Sequence, residues 1–148
     1  MLRTHNCGEL RISDCDKEVE LCGWVNAARN LGSLIFISLR DRYGVTQVVL
    51  EPDTFGPKIN DLQNIHRESV IRITGKVSAR PENMRNSAMT TGDIEVYATA
   101  LEMIADAAPL PMEISDEKVA NEETRLRYRY LDLRRPSLQA NLRTRHNI

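Results

Sequence analysis

Phe36 and Gln47 are the two residues whose types and placement ask for chemistry beyond packing. Phe36 stands between Ile35 and Ile37 in a run of alternating inward and outward positions, so with the isoleucines facing a core its ring faces outward. An outward ring can stack an unpaired base, an interaction of about 1–3 kcal/mol per base by alanine substitution. It can equally pack beneath a loop or a neighbouring domain. Gln47 is outward by the same alternation, and its amide carries both a donor and an acceptor, enough to read the free edge of a base. An exposed glutamine alone is ordinarily just solvated. On a strand next to an outward ring, it completes the pair that recognition of one splayed base requires.

Further polar groups could join them. Arg29, at the end of the preceding strand, could contact a phosphate or a base; Arg80, Asn83, Arg85 and Asn86 offer donors from a polar stretch, and Glu95 offers an acceptor for a base with free donors, such as guanine. Each is more often a solvated side chain. His5, His66 and His146 are scattered without partners at ligand spacing, so no metal site and no triad is predicted. Cys7, Cys15 and Cys22 are spaced eight and seven apart and read as free thiols in a reducing compartment. No phosphate-binding glycine motif occurs, and no residue is assigned a catalytic role.

The elements that must position these groups follow from period-two patterns. Val19, Leu21, Gly23 and Val25 mark a first strand; Asn30–Ser33 supply a turn; Ile35, Ile37 and Leu39 mark a second; Thr46, Val48 and Leu50 a third, which Pro52 ends. Ile59, Leu62 and Ile65 form a helical stripe within 58–68. Ile71, Ile73, Gly75 and Val77 mark a fourth strand, and Ile94, Val96 and Ala98 a fifth, with a polar loop over 79–92 between them. Ahead of the strands, 1–17 reads as irregular, with a helical turn possible at Gly8–Arg11. The prediction is a mainly β fold: a five-stranded Greek-key OB barrel over 1–107 with one helix between strands three and four. Such barrels bind oligonucleotides on the face of strands two and three and in the loops joining strands one to two and four to five.

Residues 108–124 read as a linker or hinge, being proline-containing and acidic. Residues 125–148 hold seven arginines and one acid; Leu126, Tyr130 and Leu133 lie on one side of a helix ending at Pro136, and Ser137 caps a second helix. That helix is cut off at Ile148, so this segment is expected to be the truncated start of a further domain. The 148 residues carry a formal net charge of −1, so any nucleic-acid binding must come from local placement of charge. No apolar run is long enough to span a bilayer and no signal peptide opens the chain, which predicts a cytoplasmic protein without membrane contact.

The stretch GWVNAARNLGSLIFISLRDRYGVTQVVLEPD at 23–53 resembles the anticodon-binding OB domain of bacterial-type aspartyl-tRNA synthetases, and LRYRYLDLRRP at 126–136 resembles the segment opening their class II catalytic domain. The resemblance covers nearly the whole chain. It implies a parent ligase that activates aspartate with ATP and Mg2+, esterifies tRNA(Asp) and forms a homodimer, while this fragment, lacking the catalytic site, holds no cofactor and is inactive alone. It further implies that Phe36 stacks on the central base of the GUC anticodon and that Gln47 and Arg29 hydrogen-bond around it. Glu95 would discriminate the first base, and Arg80 and Asn86 would meet the third base or its backbone. Where the family usually carries a string of arginines, this chain has Ala27, Ala28 and Arg29, which removes two expected backbone-contacting charges. Leu31 has the form usual in enzymes restricted to tRNA(Asp), whereas Asn83 matches neither common form. Two other readings stand beside this one: a stand-alone OB protein binding single-stranded nucleic acid without preference, and an OB used as a protein interaction module.

Overall fold

The computed structural model describes residues 3–148, which divide into two compact units, one ending at Ala108 and the other running from Pro109 to Ile148. In the first, alternation builds five strands: β1 (Glu18–Leu31), β2 (Leu34–Arg40), β3 (Val45–Leu50), β4 (Val70–Ala79) and β5 (Ile94–Ala105). They close into a barrel in the order β1-β2-β3-β5-β4, β4 pairing back onto β1. Only β3 and β5 run parallel. This is the expected OB architecture, and its core is the inward set that parity assigned, from Val19 and Leu21 through Ile35, Ile37, Leu39, Val48, Ile71, Ile73, Ile94 and Val96, all buried.

Several local expectations need correction. The first turn is shorter than Asn30–Ser33, because β1 continues to Leu31 and the chain reverses over Gly32 and Ser33; Gly32 takes φ 63°, a conformation only glycine adopts without strain. The helical stretch between β3 and β4 lies earlier than 58–68. It comprises α1 (Pro52–Phe55), a 3-10 turn at Gly56–Lys58, and α2 (Ile59–Leu62). Pro52 starts it because a proline at the first helical position loses no hydrogen bond there. Gly56, at φ 54°, interrupts it. The predicted stripe Ile59, Leu62 and Ile65 nonetheless packs on the barrel core, joined by Phe55.

The segment before β1 is more than an irregular lead-in. Cys7 and Leu10 are fully buried in the barrel core, and the helical turn falls at Ile12–Asp14 instead of Gly8–Arg11. Asp41 ties this segment down: its carboxylate accepts from the Cys7 N–H at 2.9 Å and from the Arg3 guanidinium at 2.9 Å, and also caps the β2–β3 turn at Tyr43 and Gly44. All three cysteines are free, and burial pushes the Cys7 thiol far above its ordinary pKa.

In the second unit, the stretch expected to be a linker contributes Met112 and Ile114 to a small buried cluster with Leu131. Three helices follow: α3 (Glu122–Arg127), α4 (Arg129–Asp132) and α5 (Pro136–Asn147). The predicted apolar stripe is corrected here, since Leu126 and Tyr130 are exposed while Leu131 is buried and Tyr128 packs against the cluster. The cause is a break at Tyr128, whose ψ of 46° interrupts the helical turn and rotates the apolar face. Ser137 is not the cap of α5. It lies within the first turn, and Asp116 accepts from its backbone N–H at 2.9 Å and its hydroxyl at 2.6 Å. Asp132, fully buried, is held by Arg135 at 2.7 Å and Arg129 at 2.6 Å. No described helix is long and apolar enough to cross a membrane.

Candidate nucleic-acid interface

The outward face of β2, β3 and β5 brings three of the predicted residues together. Phe36 is opposite Val49, and Val49 is opposite Tyr97; one step along, Ser38 is opposite Gln47. Since β3 and β5 are parallel and in register, Glu95 falls beside Gln47. Phe36, Gln47 and Tyr97 are half-buried, and Glu95 is 6% exposed, so the carboxylate forms the floor between two half-buried side chains. Its two oxygens are each engaged. The Gln47 Nε2 donates to Oε2 at 2.9 Å and the Tyr97 hydroxyl donates to Oε1 at 2.9 Å. Burial, followed by the hydrogen bond to Glu95, pushes the Tyr97 phenol up to about 12, so at neutral pH it is a donor.

A carboxylate can only accept, which fixes the Gln47 amide: the nitrogen faces Glu95 and Oε1 is left as an acceptor. The face therefore offers a flat ring at Phe36 and, one strand over, an outward carbonyl oxygen. It can stack a base and meet an N–H on that base's edge.

Arg29 reaches this face through an irregularity. β1 carries an extra residue between Val25 and Ala27, a bulge at Asn26 that inverts the alternation beyond it. Ala27 and Arg29 then fall opposite the outward Ser38 and Phe36, while Ala28 falls opposite the buried Ile37 and packs on the core. Arg29 is exposed beside Phe36. Of the two missing charges, only the one at Ala27 thins the face; the expectation that both alanines do so is corrected by the bulge.

The loop between β4 and β5 behaves differently. Arg80 is buried, its Nε donates to the Ile94 carbonyl at 2.8 Å, and its Nη2 has no partner. Burial lowers the Arg80 pKa, against the attraction of Glu95 and Asp93. Asn86 spends its side-chain oxygen on the Ala88 N–H at 3.0 Å, and its backbone closes the loop on Met89 and Gly92. Gly92 lies so close that a Cβ there would drive into the Asn86 carbonyl oxygen. Arg85 stands 3.9 Å from Asp93, and Asn83 is exposed. Among the described residues, no group of three or more His, Cys, Asp or Glu side chains could hold a metal ion.

Residues 19–104 match the family described as OB-fold nucleic acid binding domain. The chain belongs to that family. It is 49% identical over 149 residues to an aspartate–tRNA ligase of Amoebophilus asiaticus, covering 100% of this chain and 25% of that protein. It is 47% identical over 146 residues to an aspartate–tRNA(Asp/Asn) ligase of Acidobacterium capsulatum, covering 99% of this chain and 24% of that protein. Among solved structures, the asparaginyl-tRNA synthetase of Pyrococcus horikoshii with asparaginyl-adenylate superimposes with a TM-score of 0.82 at 28% identity, over 97% of this chain and 31% of that one. The chain thus spans about a quarter of the length of the curated relatives it matches.

For an OB-fold nucleic acid binding domain, the informative residue that sequence reasoning passed over is Tyr97. Parity had already placed it on the outward side with Glu95, two positions away on one strand, so the signal was present. Its hydroxyl partner, Glu95, lies on the same strand; the register between β3 and β5 adds Gln47 on the other carboxylate oxygen.

Proposed function

We propose that this chain is the anticodon-recognising part of an aspartate–tRNA ligase, the barrel binding the anticodon loop of tRNA(Asp) through the outward face of β2, β3 and β5. The observation that carries the reading is the juxtaposition of the Phe36 ring with a Gln47 amide whose oxygen is left free by its bond to Glu95. Phe36 stacks on the central uridine of GUC. Gln47 Oε1 accepts from the uracil N3–H, a contact that cytosine, with an acceptor at N3, cannot make. Arg29 hydrogen-bonds beside the stacked base. Glu95 takes the donors of the first-base guanine, and Arg80, with its unpartnered Nη2, meets the third base or its backbone. Asn86 serves this last contact through the loop it holds together.

The whole ligase, on this reading, joins aspartate to tRNA with ATP and Mg2+ in the cytoplasm as a homodimer. On the same reading this chain holds no cofactor and alone should not charge tRNA. Arg29 and Leu31 lie next to the binding face, and the choice between tRNA(Asp) alone and tRNA(Asp) with tRNA(Asn) is to be measured on the third base, where the two anticodons differ.

Titration of the chain with a GUC stem-loop and with loops changed at one base tests the reading. Each change should cost about 1–3 kcal/mol. Equal affinity for every loop would favour a non-selective single-strand binder, and no binding at moderate salt a protein interaction module. Gln47→Ala should relax choice most at the central base, with a smaller loss at the first base, where Glu95 loses one of its two donors; uniform weakening across loops would remove Gln47 as a reader.

A further inference from the structure

We propose that Tyr97 is a positioning residue for recognition of the first anticodon base, holding the Glu95 carboxylate from one side while Gln47 holds it from the other. This rests on the anticodon reading above. The terminal torsion of a glutamate is broad, so a carboxylate with no fixed donors turns freely. Glu95 is denied that freedom: the Tyr97 hydroxyl binds Oε1 and the Gln47 amide binds Oε2, each at 2.9 Å.

Tyr97 and Glu95 are two residues apart on β5 and share a face, while Gln47 comes from the adjacent β3. The two donors therefore approach from different strands and set the plane of the carboxylate. An ionised carboxylate has roughly four acceptor sites, so each oxygen keeps capacity for one more donor. Guanine presents two parallel donors, N1–H and the 2-amino group, that match two oxygens held side by side. Inosine keeps N1–H and lacks the 2-amino group, so the ratio of guanosine to inosine binding reports how well both oxygens are aimed.

The same chain of bonds links the readers of neighbouring bases. Gln47 offers its oxygen to the central base only while its nitrogen stays on Glu95, and Glu95 stays in plane only while Tyr97 holds the far oxygen. Removing the Tyr97 hydroxyl leaves the Gln47 bond in place, which confines the effect to the first base.

The test compares wild type and Tyr97→Phe on three stem-loops: GUC, the same loop with inosine at the first position, and the same loop with cytidine at the centre. Tyr97→Phe should lower the guanosine-over-inosine preference by roughly fivefold to tenfold, the size of one well-made hydrogen bond. The uridine-over-cytidine preference should stay within about twofold, since no hydrogen bond at that base is lost. An unchanged first-base preference, or equal weakening on all three loops, overturns the positioning role. A second measurement needs no RNA. The tyrosinate absorbance assigned to Tyr97 by difference against Tyr97→Phe should titrate near its raised value, about 12, and Glu95→Gln should move it part of the way toward the ordinary value of about 10. No movement would show that the Tyr97–Glu95 bond is absent in solution and overturn the proposal on its own. Wild type that binds all loops alike while this titration behaves as expected would instead sink the anticodon reading.

Discussion

The strand-borne and loop-borne candidates on the barrel came from similar residue types and ended in different employment. On β2, β3 and β5 the ladder consumes the backbone hydrogen-bonding groups, so Phe36, Gln47 and Glu95 are left to face outward and to organise one another. In the loop over 80–93 there is no ladder, and side chains serve the backbone first: Asn86 caps the Ala88 N–H and Arg80 takes the Ile94 carbonyl. A donor on a strand is available to a ligand by default. A donor in a loop is available only after the loop's own groups have been satisfied.

The sharpest way to break this comparison is to act on two neighbours of β2 that differ only in parity. Ile37 is fully buried, so Ile37→Ala should cost about 2–5 kcal/mol of folding stability, read by denaturant unfolding. Phe36→Ala should cost about 1–3 kcal/mol in stem-loop binding, with a smaller loss of stability than Ile37→Ala. If Phe36→Ala unfolds the barrel as readily and spares binding, the ring is a packing residue, and the face has lost its stacking platform.

Parity is also why so much of the barrel was legible. The period of two named the core residues of all five strands, and with them the outward face, since one buried face fixes the other. What it could not carry were insertions into that period. The bulge at Asn26 has no glycine to announce it, yet it turns Arg29 outward and Ala28 inward. Burial of Cys7 and Leu10 was equally hidden, because a short irregular segment has no period at all and is held by Asp41, far away in sequence. In the helical stretches, Pro52 and the break at Tyr128 moved boundaries that the apolar spacing alone had drawn. Tyr97 was on the correct face beside Glu95, but the Gln47 donor that completes the cluster depended on a parallel pairing between strands separated by the helical stretch and β4.

A smaller effect tests the loop side of the comparison. Asn86→Ala removes the acceptor of the Ala88 N–H, an exposed bond, and should cost about 0.5–1.5 kcal/mol in stability. Because Asn86 acts through the loop, its variant should weaken binding at the third base and leave preference at the first and central bases as in wild type. Loss of preference at all three bases would mean that the loop supports the whole face and that the two regions are not separable.

The smallest effect concerns charge beside the face, and it separates two adjacent alanines. Ala27 is opposite Ser38 on the outward side, whereas Ala28 is opposite Ile37 and packs on the core. A lysine or arginine at 27 would stand in the same row as Gln47 and Glu95, within reach of a loop phosphate. Each phosphate neutralised on a single strand steepens the dependence of log affinity on log salt by about 0.7. Ala27→Arg should therefore raise affinity at low salt, lose that gain as salt rises, and leave base preferences unchanged, because phosphates carry no sequence information. Ala28→Arg should not steepen the slope, since its side chain starts from the core side of the bulge. Exchanged slopes, with the steeper one at 28, would mean that the bulge does not persist in solution, and Arg29 would then lose its place beside Phe36.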